Sequence, residues 1–278
     1  MAARSMWKGS ISFGLVNIPV KVYLATEDRE FSFNQLCPNG HRIQCKRWCP
    51  VEEKEIGFNE IKKGYEVSKD SYIAIEKKDI DNIKLKTTNT IDVKEFIEAK
   101  DFDPILIERS YYVAPDTKRG AADKAYSLLV RVLNETNKIA FGKVIFKDKE
   151  HVVALRPYQR GIIMHMLHYL DEIRPVDEIE EMANIQKAGA DNKEEISLGK
   201  LLVQNLSAKH FDMSKYSDSY AQELKNLIDA KAKGTTYNKP VAVEKENPKD
   251  LVAALAAPVF RKHQQQNSKK VMRQDKSS

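Results

Sequence analysis

At 278 residues, 42% of them hydrophobic, the chain can bury a large core, and one big domain with appendages is expected. No run of about eighteen apolar residues occurs, which excludes a membrane-spanning helix. The first residues lack the order of a secretory signal, so a cytoplasmic protein is expected. The formal net charge of +6 is unevenly placed: from Lys231 onward eleven Lys/Arg face four Asp/Glu, leaving the body near neutral and the tail basic.

The opening stretch, Met6 to Tyr23, alternates apolar and polar residues at the period of a strand. Odd positions are apolar from Ile11 to Leu15, and even positions from Val16 to Leu24. The spacing predicts one strand that bends or bulges at Gly14, as at a barrel corner, with Pro19 at the bend or an edge. Trp7 is an anchor of the barrel or of a dimer interface.

Between about Thr26 and Ser71 the chain turns polar and charged and carries all three cysteines. Short strand-like runs broken at Asn39-Gly40 and Gly64 predict β-ribbons standing out from the core. Arg42, Lys46, Arg47, Lys62 and Lys63 lie on them, either as a solvated surface or as contacts to a nucleic-acid backbone. Cys37, His41, Cys45 and Cys49 follow one another at equal spacing, unlike the paired C-x2-C knuckles of a zinc ribbon. A structural zinc is one reading of this cluster, and an emptied, ribbon-shaped hairpin is the other.

Further strands are predicted over SYIAIEKKDI, NTIDVKEFIEAKDFDPI and LIERSYYVAPD, with Val93, Phe96, Ile97, Ile105, Ile107, Tyr111 and Val113 facing a core. An amphipathic helix from Ala121 to near Asn137 follows. Two strands, IAFGKVIFKDK and HVVALRPY, then meet at a turn around Asp148 to Glu150. Lys143, Lys147 and Lys149 would share one face of the first, as a solvated row or a phosphate track. In the last strand, GIIMHMLHYLDEIR, His165 and His168 point to opposite faces, which argues against a metal pair.

Two helices are predicted beyond an acidic stretch from Pro175 to Ala190. The second, capped by Asp212 or Ser214 and stopped at Gly234, carries Tyr216, Tyr220, Leu224 and Leu227 on one stripe. Lacking a core of their own, these helices must pack on the barrel or on a second subunit. A polar linker leads to Asp250, Leu251 and Leu255, a short apolar stripe suited to a partner's groove, and then to a basic low-complexity tail.

Enzyme signatures are missing. Gly9 to Gly14 lacks the Lys-Ser/Thr of a phosphate loop, neither Ser10 nor Ser12 sits in G-x-S-x-G, and no His-Glu-x-x-His cluster occurs. A non-enzymatic protein is therefore expected.

In series, WKGSISFGLVNIPVKVY, FDPILIERSYYVAPD, HVVALRP, LDEIRP, FDMSKYSDSYAQELKNLIDAKAKG and DLVAAL resemble the bacterial Ku family over roughly residues 4 to 257. The resemblance implies a mainly β fold with helical additions: a seven-stranded β-barrel (1–185), a DNA-encircling bridge inserted at about 26–75, and a helical arm (186–234) that closes a ring-shaped homodimer. It implies sequence-independent threading of double-stranded DNA ends, contacted by Lys21, Arg42, Lys46, Arg47, Lys62, Lys63, Lys143 and Arg156, in a protein working beside the bacterial nucleoid. Within 235–278, the segment 248–258 resembles the region that engages an ATP-dependent end-joining DNA ligase. No cofactor is required, and Cys37 and Cys49 fall at two ligand positions of a degenerate zinc ribbon. The competing reading is a protein-interaction β-barrel scaffold with an incidental basic tail.

Overall fold

The computed structural model describes residues 3–83, 89–117, 122–185 and 193–237. The chain divides into two compact units, Met1–Arg174 and Pro175–Ser278. No helix among the described residues is long and apolar enough to cross a membrane.

The opening stretch is a hairpin and not one bent strand. β1 (Trp7–Phe13) and β2 (Val16–Leu24) pair antiparallel around Gly14 and Leu15. Gly14 has a φ of +58°, as the first central residue of a tight two-residue turn requires, and Leu15 is fully exposed at the tip. The register, with Ile11 opposite Ile18 and Gly9 opposite Val20, always pairs an odd residue with an even one. The switch of apolar phase is thus the signature of chain reversal, since facing residues must share the inner side.

A closed barrel follows in the order β1, β2, β8 (Ile107–Pro115), β11 (Gly161–Leu167), β10 (Lys149–Tyr158), β9 (Lys138–Phe146), β7 (Thr90–Glu98). Its neighbours are antiparallel except β1 and β7, which close it in parallel. Ile11, Ile18, Val20, Val22, Ile91, Val153 and Leu155 fill the interior at essentially no exposure. The helix α2 (Ala122–Thr136) buries Ala122, Tyr126, Leu129 and Leu133 against that core. The Tyr126 hydroxyl donates to the Val113 carbonyl and accepts from the Ile162 amide at 2.8 Å, so this buried hydroxyl is satisfied on both sides. A smaller cluster on the outer wall joins Ile139, Ala154 and Leu167 to Phe102 and Ile107, beneath the 3₁₀ turns Ala99–Asp101 and Pro104–Leu106.

Several expectations change. Val93, Tyr111 and Val113 are buried, but Phe96 and Ile105 are exposed. A bulge between Val93 and Glu95 puts Phe96 opposite Ala140 and Ile97 opposite Ile139. Ile97 therefore joins the outer cluster while Phe96, edge-on to Phe13, stays exposed; Ile105 lies in a 3₁₀ turn. SYIAIEKKDI is a strand only to Ile75; Lys77–Ile83 is helical, started by the Asp79 carboxylate accepting from the Glu76 amide at 2.8 Å. The β9–β10 turn is Lys147-Asp148, both at positive φ, one residue earlier than expected. Lys147 therefore sits at the hairpin tip and Lys149 on the opposite strand, so the row of three lysines does not form. The last strand ends at Leu167, short of His168.

The second unit contains α4 (Lys193–Leu206) and α5 (Ser219–Ala232), preceded by α3 (Glu180–Ile185); the remaining short helix, α1 (Lys77–Ile83), belongs to the first unit. The cap of α5 is Asp218, whose carboxylate accepts from the Ala221 amide at 2.9 Å. Asp212 instead caps the 3₁₀ turn Met213–Lys215 by accepting from Ser214. Gly234, at φ +70°, ends α5: its amide reaches the Lys231 carbonyl and the Thr235 amide reaches that of Ala230.

The bulge in β7 brings the Asp92 carbonyl within 2.4 Å of where a Cβ on Gly142 would stand. Gly142→Ala is expected to cost about 1–3 kcal/mol by overpacking, a fall in melting temperature of roughly 2–10 °C. Thermal unfolding followed by circular dichroism checks this, and an unchanged midpoint would contradict it.

Candidate nucleic-acid interface

The segment between β2 and β7 leaves the barrel wall and returns to it without a core of its own. No residue from 26 to 75 is buried. Order comes from short pairings: the Leu36–Arg42 bridge around the Cys37–His41 turn, β3 (Trp48–Cys49) with β4 (Lys54–Glu55), and the hairpin of β5 (Lys63–Ser68) and β6 (Ser71–Ile75). Such ribbons are held by the backbone and leave both faces to solvent or to a ligand.

The bridge is not positive in sum, with eight Lys/Arg against nine Asp/Glu between residues 26 and 75. What matters is which cations are already neutralised. Lys46 donates to Glu55 at 2.8 Å, which raises the Lys46 pKa, and Lys54 pairs with Glu52 at 2.6 Å. The Arg47 guanidinium lies over the Phe58 ring, 5.1 Å from its centre. Arg42, Lys62 and Lys63 have no carboxylate partner among the described residues.

Lys62 and Lys63 join a larger basic feature. A groove of about 1030 Å³ runs between the bridge and the tip of the β9–β10 hairpin. Apolar Phe58, Ile61 and Ile75 line it, and six lysines, Lys62, Lys63, Lys77, Lys78, Lys147 and Lys149, border it together with Glu76, Asp81 and Asp148. Two basic stretches far apart in sequence thus meet, which strand parity alone could not show. Lys77 and Lys78 were missed as site residues because their stretch read as a strand; the Lys-Lys pair beside a ribbon was the available signal.

The barrel cations are mostly engaged. Lys21 pairs with Asp116 at 2.6 Å, the two side chains only 17% and 7% exposed, so it braces β2 against the end of β8. Lys143 is held by Glu150 at 2.7 Å, and this carboxylate raises its pKa. Arg156 donates from Nε to Nε2 of buried His165 at 2.9 Å, and His165 Nδ1 lies 2.8 Å from Ser110 Oγ. His168 lies 3.5 Å from Glu172 instead, so the two histidines have separate partners.

In the cysteine cluster, Cys37 Sγ and His41 Nδ1 are 3.6 Å apart. No group of three or more His, Cys, Asp or Glu able to hold a metal ion occurs among the described residues. A structural zinc needs four ligands, and among the described residues this stretch brings together a pair, Cys37 and His41. Tyr216 and Tyr220 are exposed, Leu224 and Leu227 are half-buried on α5, and Phe211 stacks on Tyr216 with ring centres 6.0 Å apart. Asp250, Leu251 and Leu255 lie outside the described residues.

Residues 12–198 match the family described as the Ku70/Ku80 beta-barrel domain. The chain is similar to the non-homologous end joining protein Ku of Archaeoglobus fulgidus, 38% identical over 255 residues, covering 91% of this chain and 97% of that one. The proteins of the same name from Desulfitobacterium hafniense and Bacillus subtilis are 37% and 34% identical, over 92% of this chain and 87% and 82% of theirs.

Burial, and then the charge of Arg156, lower the His165 pKa to about 4. The unfolded chain, with His near 6.5, binds more protons between these values. The stability contributed by this site is therefore full above about pH 6.5 and is lost as pH falls towards 4, by on the order of 3 kcal/mol. Urea unfolding of the native chain and of His165→Asn across that window should show a steeper fall for the native chain; parallel curves would contradict the assignment.

Proposed function

The chain belongs to the Ku family, and on that premise we propose that it binds double-stranded DNA ends in non-homologous end joining, reading backbone and not sequence. The observation that carries the proposal is the bridge: a segment of some fifty residues without a buried side chain, ordered as ribbons, and bordered by lysines where it meets the barrel hairpin. A segment with nothing to bury folds into this form for a partner's sake, and cations without carboxylates suit phosphate. Each ammonium that replaces a condensed counterion adds affinity that is independent of sequence and falls with salt.

The contacts are assigned first to Arg42, Lys62 and Lys63, with Arg47 held beside them over Phe58 and Lys77, Lys78, Lys147 and Lys149 along the groove. Lys46 and Lys143 would exchange a carboxylate for a phosphate. Lys21 keeps a bracing role with Asp116, and Arg156 lies elsewhere on the wall. The role is mechanical: two copies close a ring, the duplex enters by threading its end, and the complex protects the end. Such a protein would work beside the nucleoid, in the cytoplasm.

The arm supports the dimer. Among the described residues of α4 and α5 none is buried, while Tyr220, Val203 and Leu206 stand exposed. Apolar surface of this kind, with tyrosines, suits a protein interface. The apolar stripe of Asp250, Leu251 and Leu255 is assigned to an ATP-dependent DNA ligase, which the complex would recruit to the end.

Replacing Lys62 and Lys63 together by Ala should weaken binding to any linear duplex equally and reduce the slope of log affinity against log salt by about 1.8. Titrations by fluorescence anisotropy at several salt concentrations measure this, and an unchanged slope would remove both residues from the interface. Tyr220→Asp with Leu224→Asp should convert the dimer to a monomer in sedimentation velocity and abolish stable end binding. A dimer that persists would move the interface off α5.

A further inference from the structure

The basic residues of the barrel wall do not all have the same kind of partner. Lys21 sits on Asp116, Lys138 on Glu98 and Lys143 on Glu150. Arg156, on the same wall and no more than half-exposed, has no carboxylate partner among the described residues. Holding a guanidinium away from water without a counter-charge is costly.

Its orientation is nonetheless fixed. A guanidinium only donates, so His165 must accept at Nε2 from Arg156 Nε and carry its own proton on Nδ1. That proton is then donated to Ser110 Oγ, 2.8 Å away. The ring is further held by Phe102, nearly parallel at 6.1 Å between centres. Ser110 and His165 thus form a neutral clamp that takes one nitrogen of the arginine head and leaves both Nη groups, a planar fork of four donors.

Arg156 borders a cavity of about 360 Å³ on the outer wall, within the size range of small-ligand sites. Phe102, Pro104, Ile107, Ile139 and Pro157 give it apolar walls on one side, and Asn134, Asn137 and Lys138 border it as well, the Lys138 ammonium held by Glu98 at 2.6 Å. At its other side the end of α2 offers acceptors, since Asn134 Nδ2 is spent on the Val130 carbonyl at 3.0 Å. An anion is therefore drawn to the arginine and not to the helix end.

We propose that this cavity binds a small organic carboxylate, its two oxygens taken by the Nη fork of Arg156 and its apolar body resting on Phe102, Ile107 and Ile139. Bidentate pairing with a carboxylate is what such a fork is shaped for. A DNA phosphate fits the place less well. Backbone phosphates come in a continuous row, whereas Arg156 stands seven residues along β10 from Lys149, roughly 23 Å at about 3.3 Å per residue. The site goes beyond the DNA-end reading and does not depend on it.

The test is a fluorine NMR titration of the full chain with 4-(trifluoromethyl)benzoate, run beside DNA-end binding by the same samples. Saturable binding is expected, weakened about tenfold or more in Arg156→Gln and several-fold in Arg156→Lys, which keeps the charge but not the fork. DNA-end affinity in both variants should stay within about twofold, since no phosphate contact is assigned to Arg156. Absence of saturable binding, equal binding by the variants, or displacement by inorganic phosphate as readily as by benzoate overturns the proposal. So does loss of DNA affinity with Arg156→Gln, which would return the residue to the DNA interface. Should Arg156→Gln fail to fold, Arg156→Lys decides: unchanged probe affinity overturns the site.

Discussion

Closure of the barrel is the constraint on which the first unit depends. The hairpin register pairs Ile11 with Ile18, and the parallel contact of Ile11 with Ile91 joins the first strand to β7. Once the sheet is closed no strand of the barrel has a free edge, and a one-residue slip anywhere would turn an inner face outward. The bridge exploits this rigidity. It leaves after β2, contributes no buried side chain, and is placed by the wall to which it is anchored. Its stability is borrowed, which leaves its own side chains open to other uses.

Charge is distributed by the same logic. On the wall, the amines of Lys21, Lys138 and Lys143 are matched by carboxylates, and Lys21 with Asp116 is nearly buried. Where bridge and hairpin tip meet, Lys62 and Lys63 stand without such partners among the described residues. Net charge conceals this, because the bridge holds about as many acids as bases. A sequence-blind phosphate interface needs local potential and not a positive sum.

Much of the fold was legible in the residues, because alternation with a period of two runs through β1 and β2 and α2 shows a clean helical stripe, although β11, buried from Ile162 to Leu167, carries none. What escaped was set by one-residue events. Gly14 reads as a bulge until its register with the following strand is known, and Lys147 reads as a strand residue until it adopts positive φ. The bulge at Val93 has no mark in composition, yet it moves Phe96 to the side of Ala140 and Ile97 to the outer cluster. Of the site, the residue types were legible and the pairings were not. Nothing local to Lys21 announces Asp116, ninety-five positions away, and nothing local to Arg156 announces His165. Lys62 and Lys147 meet only because the barrel folds.

The central claim is that a free end is needed for entry. Linear duplex and a covalently closed circle of identical sequence, compared at one salt concentration with the full chain, test it most directly. Stable binding to the linear form, little to the circle, and binding gained once the circle is cut are expected. Equal affinity for both would contradict it and leave the bridge as a surface that touches DNA without enclosing it.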